Sequence, residues 1–285
     1  YRLSQAIPND WAIMDRSSAR PNMGFQISSG YVTDPAKKTQ LGTTLALSYS
    51  NNNRLQNGRR FDYDNSGMLF DYSDNQFKNN VLWGSLFNTA LKINNTQKIG
   101  FQATYSTNTD NIVSDRSGND FEQQRKVSST SIEYTENHLL TTRLYGDHQL
   151  PGGLRWNWGG GFNRSTRDIP SLRRMFYFKN FEDTSDVNVP YQAYVPFGSA
   201  DPYRSGRFYS RLEENTWNGN TDLNIPFALF GEKQSLKVGG LYQKRDRMFD
   251  ARVMGFILGN FLQFDYSLLN LPQDQIFAPE NIGNK

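Results

Sequence analysis

The sequence predicts an all-β fold, the wall of a transmembrane, antiparallel, up-and-down β-barrel with about eight long strands. Polar and apolar residues alternate over runs of about ten residues, which is the signature of a strand with one apolar side. Short turns join these runs in pairs, and much longer segments separate the pairs. Soluble strands usually span about five or six residues, whereas about 9–11 are needed to cross a bilayer. The run length therefore favours a barrel over a soluble sandwich.

The bulk composition agrees with such a wall. Hydrophobic residues make up only 36% of the 285 residues and the mean hydropathy is −0.70, yet aromatic residues reach 14%. A barrel strand averages to little hydropathy because its two sides cancel. The net charge of +3, from 31 basic and 28 acidic residues, gives no nucleic-acid signature. With no cysteine, neither a disulfide framework nor a thiolate metal site can form.

Six clear strands and two less regular ones carry the alternation. Their apolar sides hold no Asp, Glu, Lys or Arg, as expected where a charge in lipid would cost about 2–4 kcal/mol. Arg164 shares the side of Phe162 but lies far enough from Leu154 to reach the headgroups. In chain order, the apolar sides are Met23, Phe25, Ile27 and Tyr31; Leu41, Thr43, Leu45, Leu47 and Tyr49; Trp83, Phe87, Leu91 and Ile93; Ile99, Phe101, Ala103 and Tyr105; Leu140, Thr142 and Leu144; Leu154, Trp156, Trp158, Gly160 and Phe162; Trp217, Thr221, Leu223 and Ile225; and Leu236, Val238, Gly240 and Tyr242.

The connections alternate between short and long. Turns are predicted at 34–37, 94–96, 151–153 and 230–233. Long loops are predicted at 51–80, 109–129, 166–207 and 250–285, within a single domain that covers 1–285. This alternation is typical of barrels with short periplasmic turns and long extracellular loops.

Several runs of residues resemble TonB-dependent outer-membrane receptors, especially those of Bacteroidota. The resemblance extends over nearly the whole chain, although its motifs are degenerate barrel patterns. The runs that carry it are 81–87, 94–100, 146–150, 156–158, 165–170 and 277–283.

The resemblance implies a 22-stranded barrel closed by an N-terminal plug, which imports a scarce nutrient such as a metal chelate, cobalamin or glycan. The expected location is the outer membrane of a Gram-negative bacterium. The expected partners are outer-membrane lipid, TonB acting through a plug upstream of this segment, a surface lipoprotein and the nutrient. No plug, TonB-contact segment or closing aromatic strand is recognisable, so we expect a middle portion of the barrel. Such a portion could not close alone.

Ligand contacts are predicted where arginine and aromatic residues meet in the 166–207 loop, because recognition usually lies on loops over a rigid scaffold. The same residues could instead pack loop on loop or form the outer aromatic girdle. Trp83, Trp156 and Trp158 are interpreted as anchors at the membrane interface. The predicted ligand contacts are Arg173, Arg174, Tyr177, Tyr191, Tyr194 and Tyr203.

No catalytic, metal or cofactor site is predicted. His138 and His148 lie about 33 Å apart along one strand, too far to share a metal ion. Carboxylates such as Asp183 and Asp186 are interpreted as solvated loop charges. Gly159-Gly160-Gly161 is not a phosphate loop, because no helix follows it. The protein is therefore not expected to be an enzyme.

Two other functions stay open. The first is a passive porin or a small closed barrel that is complete in itself. The second is a soluble all-β domain that binds carbohydrate or mediates adhesion. Sequence upstream of Tyr1 would separate the first from a plugged transporter, and solubility without detergent would favour the second.

Overall fold

The computed structural model describes residues 5–11, 21–34, 36–183, 186, 188–259 and 264–283. Within these residues it contains nine strands, several short 3₁₀ turns and a helical turn, α1 (Gln273–Ile276). No helix among the described residues is long and apolar enough to cross a membrane. The strands are β1 (Met23–Val32), β2 (Gln40–Asp64), β3 (Gly67–Asn94), β4 (Gln97–Asp120), β5 (Arg125–Gln149), β6 (Arg155–Asn180), β7 (Gln192–Ala193), β8 (Gly206–Leu229) and β9 (Glu232–Gly255).

These strands form one antiparallel up-and-down sheet in the order β1-β2-β3-β4-β5-β6-β8-β9. The two-residue β7 pairs with the upper end of β6, beyond the start of β8. Among the described residues β1 and β9 do not pair with each other, so the sheet is open at both edges. The prediction of an all-β, antiparallel, up-and-down arrangement is confirmed.

The pairing register brings the eight predicted apolar sides onto one side of the sheet. Residues directly opposite each other in an antiparallel pair project to the same side. One row, for example, joins Leu41, Leu91, Ile99, Gly146 and Trp158 across β2 to β6. A one-residue slip in any pair would have sent one strand's apolar residues to the other side. We call the shared side the apolar face. It begins with Met23 to Tyr31 in β1 and ends with Leu236 to Tyr242 in β9. The opposite side of the sheet is the polar face.

The hairpins are staggered along the sheet. Val32 and Gly42 form the last pair of the first hairpin, and the row through Gly42 crosses β8 at Asn220. The last pair of the fourth hairpin, Leu229 with Glu232, lies about nine residues further along β8. At about 3.3 Å per residue and about 4.8 Å per strand, this stagger over roughly six spacings corresponds to a tilt of roughly 45°. Barrel strands in membranes tilt by about 35–45°.

The short turns lie where the sequence predicts them. β3 and β4 are joined at Asn95-Thr96, and β8 and β9 at Phe230-Gly231. Phe230 and Gly231 both have positive φ, 54° and 81°. Positive φ at both central residues defines the type I′ turn, whose twist matches the twist of the flanking strands.

The structure corrects the predicted loops at 51–80 and 109–129. β2 and β3 continue through the first segment and turn only at Asn65-Ser66, while β4 and β5 continue through the second and turn at 121–124. The 166–207 segment is strand as far as Asn180 and again from Gly206. These extensions lack hydropathic alternation because polar residues occupy both of their sides, with only scattered apolar residues among them. Backbone pairing and amide ladders, such as Asn79 to Asn51 at 2.7 Å, hold them together.

β6 contains a bulge at Ile169-Pro170. Between Asp168 and Leu172 it has one more residue than either neighbouring strand. Proline has no N–H for the ladder, so a bulge is one of the few places in a central strand that tolerates it. The extra residue reverses which side each later β6 residue occupies, so that Met175 follows the apolar side and Phe176 the polar side.

A small core lies far from the short turns. It joins the N-terminal segment, the upper end of β6, β7 and the C-terminal segment, and Met175 at its centre is fully buried. Trp11 stacks on Phe277, with ring centroids 5.5 Å apart. Its buried members are Trp11, Met175, Ala193, Leu258, Leu269, Ile276 and Phe277.

Candidate functional site

The apolar face is exposed. Leu45 is 49% exposed, Trp83 52% and Leu236 51%, although all three are large apolar side chains. The apolar face ends obliquely, at Phe25 in β1 and at Tyr242 in β9. Below this oblique boundary, as far as Tyr31 in β1 and Leu236 in β9, no Asp, Glu, Lys or Arg projects from the face. An exposed apolar surface that continues across eight strands exceeds the patches that soluble monomers usually expose. The face is therefore a contact surface for an apolar partner or medium.

Charged residues begin where the apolar face ends. Arg164, the predicted headgroup residue, pairs with Glu213 at 3.0 Å on the same side of the sheet. On the neighbouring strand Lys244 pairs with Asp246 at 3.4 Å. The two ion pairs form a charged rim at the edge farther from the short turns.

The three tryptophans predicted as anchors lie on the apolar face, at two levels. Trp83 is at the rim end, where it contacts Tyr49 with ring centroids 4.5 Å apart. Trp156 and Trp158 are near the short turns. Trp156 Nε1 donates to Thr221 Oγ1 at 2.8 Å and Trp158 Nε1 donates to His148 Nε2 at 2.9 Å. Aromatic rings at two levels, with polar handles satisfied, are typical of membrane girdles.

The polar face carries charges at the level of the short turns. Arg155 pairs with Asp147 at 2.5 Å, and Lys237 pairs with Asp222 at 3.2 Å. Asn157 also donates to Asp222 at 3.3 Å. A face with hydrated charges opposite an uncharged one is the arrangement of a wall between water and an apolar medium.

The upper polar face holds alternating rings and guanidinium groups. Arg125 lies over Phe176 at 5.2 Å and over Phe178 at 5.4 Å, and Arg204 lies over Phe176 at 5.6 Å and Tyr194 at 5.1 Å. Cation–π contacts of this kind bind guanidinium groups to ring faces. We call Arg125, Phe176, Phe178, Tyr194 and Arg204 the arginine–aromatic cluster.

Carboxylates balance the cluster and its neighbourhood. Asp120 pairs with Arg125 at 3.2 Å, with both side chains nearly buried. Four residues before Asp120 on β4, Arg116 binds Asp74 through two hydrogen bonds of 2.6 and 2.8 Å and lies 5.2 Å from the ring of Tyr72. The Arg116 hydrogen bonds lower the pKa of Asp74, and burial opposes that effect.

The structure separates the six predicted ligand contacts. Tyr194 joins the cluster, and Arg174 follows the same polar side on β6. Arg173 and Tyr177 project to the other side, where the Tyr177 hydroxyl donates to Leu271 O at 3.0 Å and burial raises the pKa of Tyr177. Tyr191 and Tyr203 are 38% and 80% exposed. Binding by any of the six stays a prediction.

Sequence reasoning missed Arg125 and Arg204, which complete the cluster. Arg125 follows the turn between β4 and β5, and Arg204 lies in the connection before β8. Neither has a sequence pattern that distinguishes it from other surface arginines. The pairing of β5 with β6 places Arg125 beside Phe176 and Phe178. The connection before β8 brings Arg204 to Phe176 and Tyr194.

The two histidines have separate surroundings. His138 Nε2 lies 3.0 Å from Glu136 Oε1, and its Nδ1 lies 2.9 Å from Thr107 Oγ1. His148 Nδ1 forms a short hydrogen bond with Gln97. No group of three or more potential metal ligands occurs in the described part of the chain.

Comparisons with protein-family models, with curated proteins and with solved structures found no match to this chain.

Proposed function

We propose that this chain is part of the wall of a large outer-membrane β-barrel that imports a scarce nutrient with energy from TonB. The observation that carries the membrane part is the uncharged, exposed apolar face shared by eight strands. Lipid would cover that face, and the charged rim at Arg164 and Glu213 would lie among the headgroups. The polar face would line the water-filled or plugged interior.

The open edges support a wall that is completed by further strands. Backbone N–H and C=O groups at the free edges of β1 and β9 would be unsatisfied in lipid, where each costs several kcal/mol. A barrel closed by additional strands removes both edges, and 22 strands is the number implied by the family resemblance. The tilt of roughly 45° fits a wall of this kind.

The transport part rests on the family resemblance and on the arginine–aromatic cluster above the polar face. Arginine beside aromatic rings suits sugars or anionic chelates. A nutrient held there would lie above the interior, where a plug upstream of this segment would meet it. TonB, the plug and a surface lipoprotein are the proposed partners.

A growth assay tests the transport part. Cells that lack the gene are compared with wild-type and TonB-deficient cells on limiting iron chelates, cobalamin or oligosaccharides. We expect a growth defect on one nutrient class that matches the TonB-deficient defect and is restored by the intact gene. If the gene still restored growth on that nutrient in cells that also lack TonB, the result would support a passive porin instead. Recovery of the protein in the soluble fraction without detergent would contradict the membrane proposal.

Variants of the cluster locate the nutrient. Arg204→Gln and Tyr194→Ala should reduce uptake, whereas Arg211→Gln, an exposed arginine outside the cluster, should not. Equal uptake by all three variants would place recognition elsewhere.

A further inference from the structure

An apolar cavity of about 310 Å³ lies outside the arginine–aromatic cluster, on the other side of the sheet. It is enclosed by the N-terminal segment, the upper ends of β8 and β9, and the C-terminal segment. Buried Leu258, Leu269, Ile276 and Phe277 form part of its wall. Its volume is at the lower end of the roughly 300–1,000 Å³ range of small-molecule sites.

Three buried N–H donors at or beside this cavity have no acceptor among the described residues: Arg207 Nε, Arg173 Nε and Trp11 Nε1. Arg207 lines the cavity and is only 5% exposed. Its guanidinium lies 5.3 Å from the centre of the Trp11 ring, and its NH2 donates to Pro8 O at 2.7 Å. Buried donors are normally satisfied, and each one left open costs about 1–3 kcal/mol.

The charges at this end of the cavity are also unbalanced. Arg173 and Arg207 are directly opposite each other on β6 and β8. Asp10 pairs with Arg173 at 3.3 Å and is 68% exposed, whereas Arg207 forms no ion pair within the described part of the chain. Burial lowers the pKa of Arg173, although Asp10 opposes this. Both guanidinium groups remain charged, because arginine does not lose its proton in proteins.

We propose that this cavity binds a small amphiphilic carboxylate. The carboxylate would accept from the open Nε–H of Arg207 and from the neighbouring donors of Arg173 and Trp11, and its apolar body would lie against Leu269 and Phe277. A carboxylate supplies the missing negative charge and several acceptor lone pairs at once. Asn9 also lines the cavity, its Oδ1 has no donor among the described residues, and the carboxylate would not supply one. This proposal does not depend on the transport function.

Ligand-observed NMR on the purified full-length protein in zwitterionic lipid nanodiscs tests it, with empty nanodiscs subtracted. The probe is 4-phenylbutyrate, compared with the neutral 4-phenylbutan-1-ol of similar shape. We expect the acid to bind at least about tenfold more tightly than the alcohol. Equal binding of acid and alcohol, or no binding of the acid, would overturn the proposal.

Variants locate the binding. Arg207→Gln should weaken binding of the acid by about tenfold or more, whereas Arg211→Gln, on the same strand and side but outside the cavity, should leave it unchanged. Val195→Phe should block the cavity while Arg207 remains in place. If Arg207→Gln does not fold, Val195→Phe and the acid–alcohol comparison still decide. Undiminished binding by both folded variants would refute the site.

Discussion

The two ends of the sheet bury their apolar side chains in opposite ways. In the lower half, between the short turns and the row of Phe25, Tyr49 and Trp83, large apolar residues are about half exposed. In the upper half, Val127 and Met175 are fully buried, Met175 within the small apolar core. The buried Asp120–Arg125 ion pair and the cation–π contacts of Arg125 lie on the polar side of the same half. Alternation is clear in six of the eight strands of the lower half and is lost in the upper half. The lower half is thus built to contact something outside the chain, whereas the upper ends of β5 and β6 pack against other parts of the chain.

The largest effect that sharpens this contrast is expected in the upper half. Asp120→Ala leaves Arg125, whose side chain is 8% exposed, without its carboxylate. Removing one partner of a buried pair costs about 3–5 kcal/mol. The matched control is Asp168→Ala, whose partner Arg211 is 61% exposed at 3.7 Å, and it should cost no more than about 1 kcal/mol. Chemical unfolding followed by tryptophan emission measures both, and equal losses would refute a self-packed upper half.

The next effect tests the lower half. Leu45→Arg places a charge on the apolar face, which in a bilayer should reduce the free energy of unfolding by about 2–4 kcal/mol. Thr44→Arg, one residue away on the polar face, should change it by less than about 0.5 kcal/mol. The measurement is guanidinium unfolding of the protein in lipid vesicles. A cost near zero for Leu45→Arg would mean that the face contacts water.

A smaller gain is expected at a turn of the lower half. Phe230 is 95% exposed and has φ of 54°, in the left-handed region. Asparagine tolerates this conformation and is preferred before glycine in a type I′ turn, so Phe230→Asn should stabilise by about 0.5–1 kcal/mol. Gly231→Ala, at φ of 81°, should destabilise. Destabilisation by Phe230→Asn would mean that the Phe230 ring makes a contact outside the chain.

The smallest effect concerns pH in the upper half. Hydrogen bonds from Arg116 lower the pKa of Asp74, so the folded protein binds the Asp74 proton less tightly than the unfolded chain does. The resulting stability is fully present above the ordinary aspartate pKa of about 4 and is lost as the pH falls through the lower, folded-state pKa. The difference in unfolding free energy between wild type and Asp74→Asn should therefore shrink between pH 7 and pH values below about 4. The control is Asp250→Asn, on an exposed stretch of β9. A difference in unfolding free energy between wild type and Asp74→Asn that grows in acid would contradict this role of Arg116.

Sequence reasoning predicted the lower half well because its signal is local. Alternation such as Ile99, Phe101, Ala103 and Tyr105 requires only that one side of a strand contact an apolar medium. The upper strands were mistaken for loops because stretches such as 51–60 are polar on both sides. Their order depends on pairing partners, which hydropathy does not reveal.

The candidate sites depend on contacts between distant parts of the chain, so less of them was predictable. Strand alternation places Arg173 and Tyr177 on the side of the sheet opposite to Phe176, and the bulge at Pro170 decides which of the two sides each residue occupies. The cavity joins Ile7 to Phe277, residues from opposite ends of the chain. No local pattern can indicate such a contact.

The environment of β4 tests the membrane account most directly, and no native cysteine within these 285 residues competes with the introduced ones for the label. Single cysteines at 99, 101, 103 and 105 on the apolar face, and at 102, 104 and 106 on the polar face, are labelled with a nitroxide in lipid vesicles. We expect apolar-face labels to be relaxed mainly by oxygen and polar-face labels mainly by a water-soluble nickel complex, with a period of two. Nickel access on both faces, or apolar-face labels shielded from both agents by protein, would contradict the account.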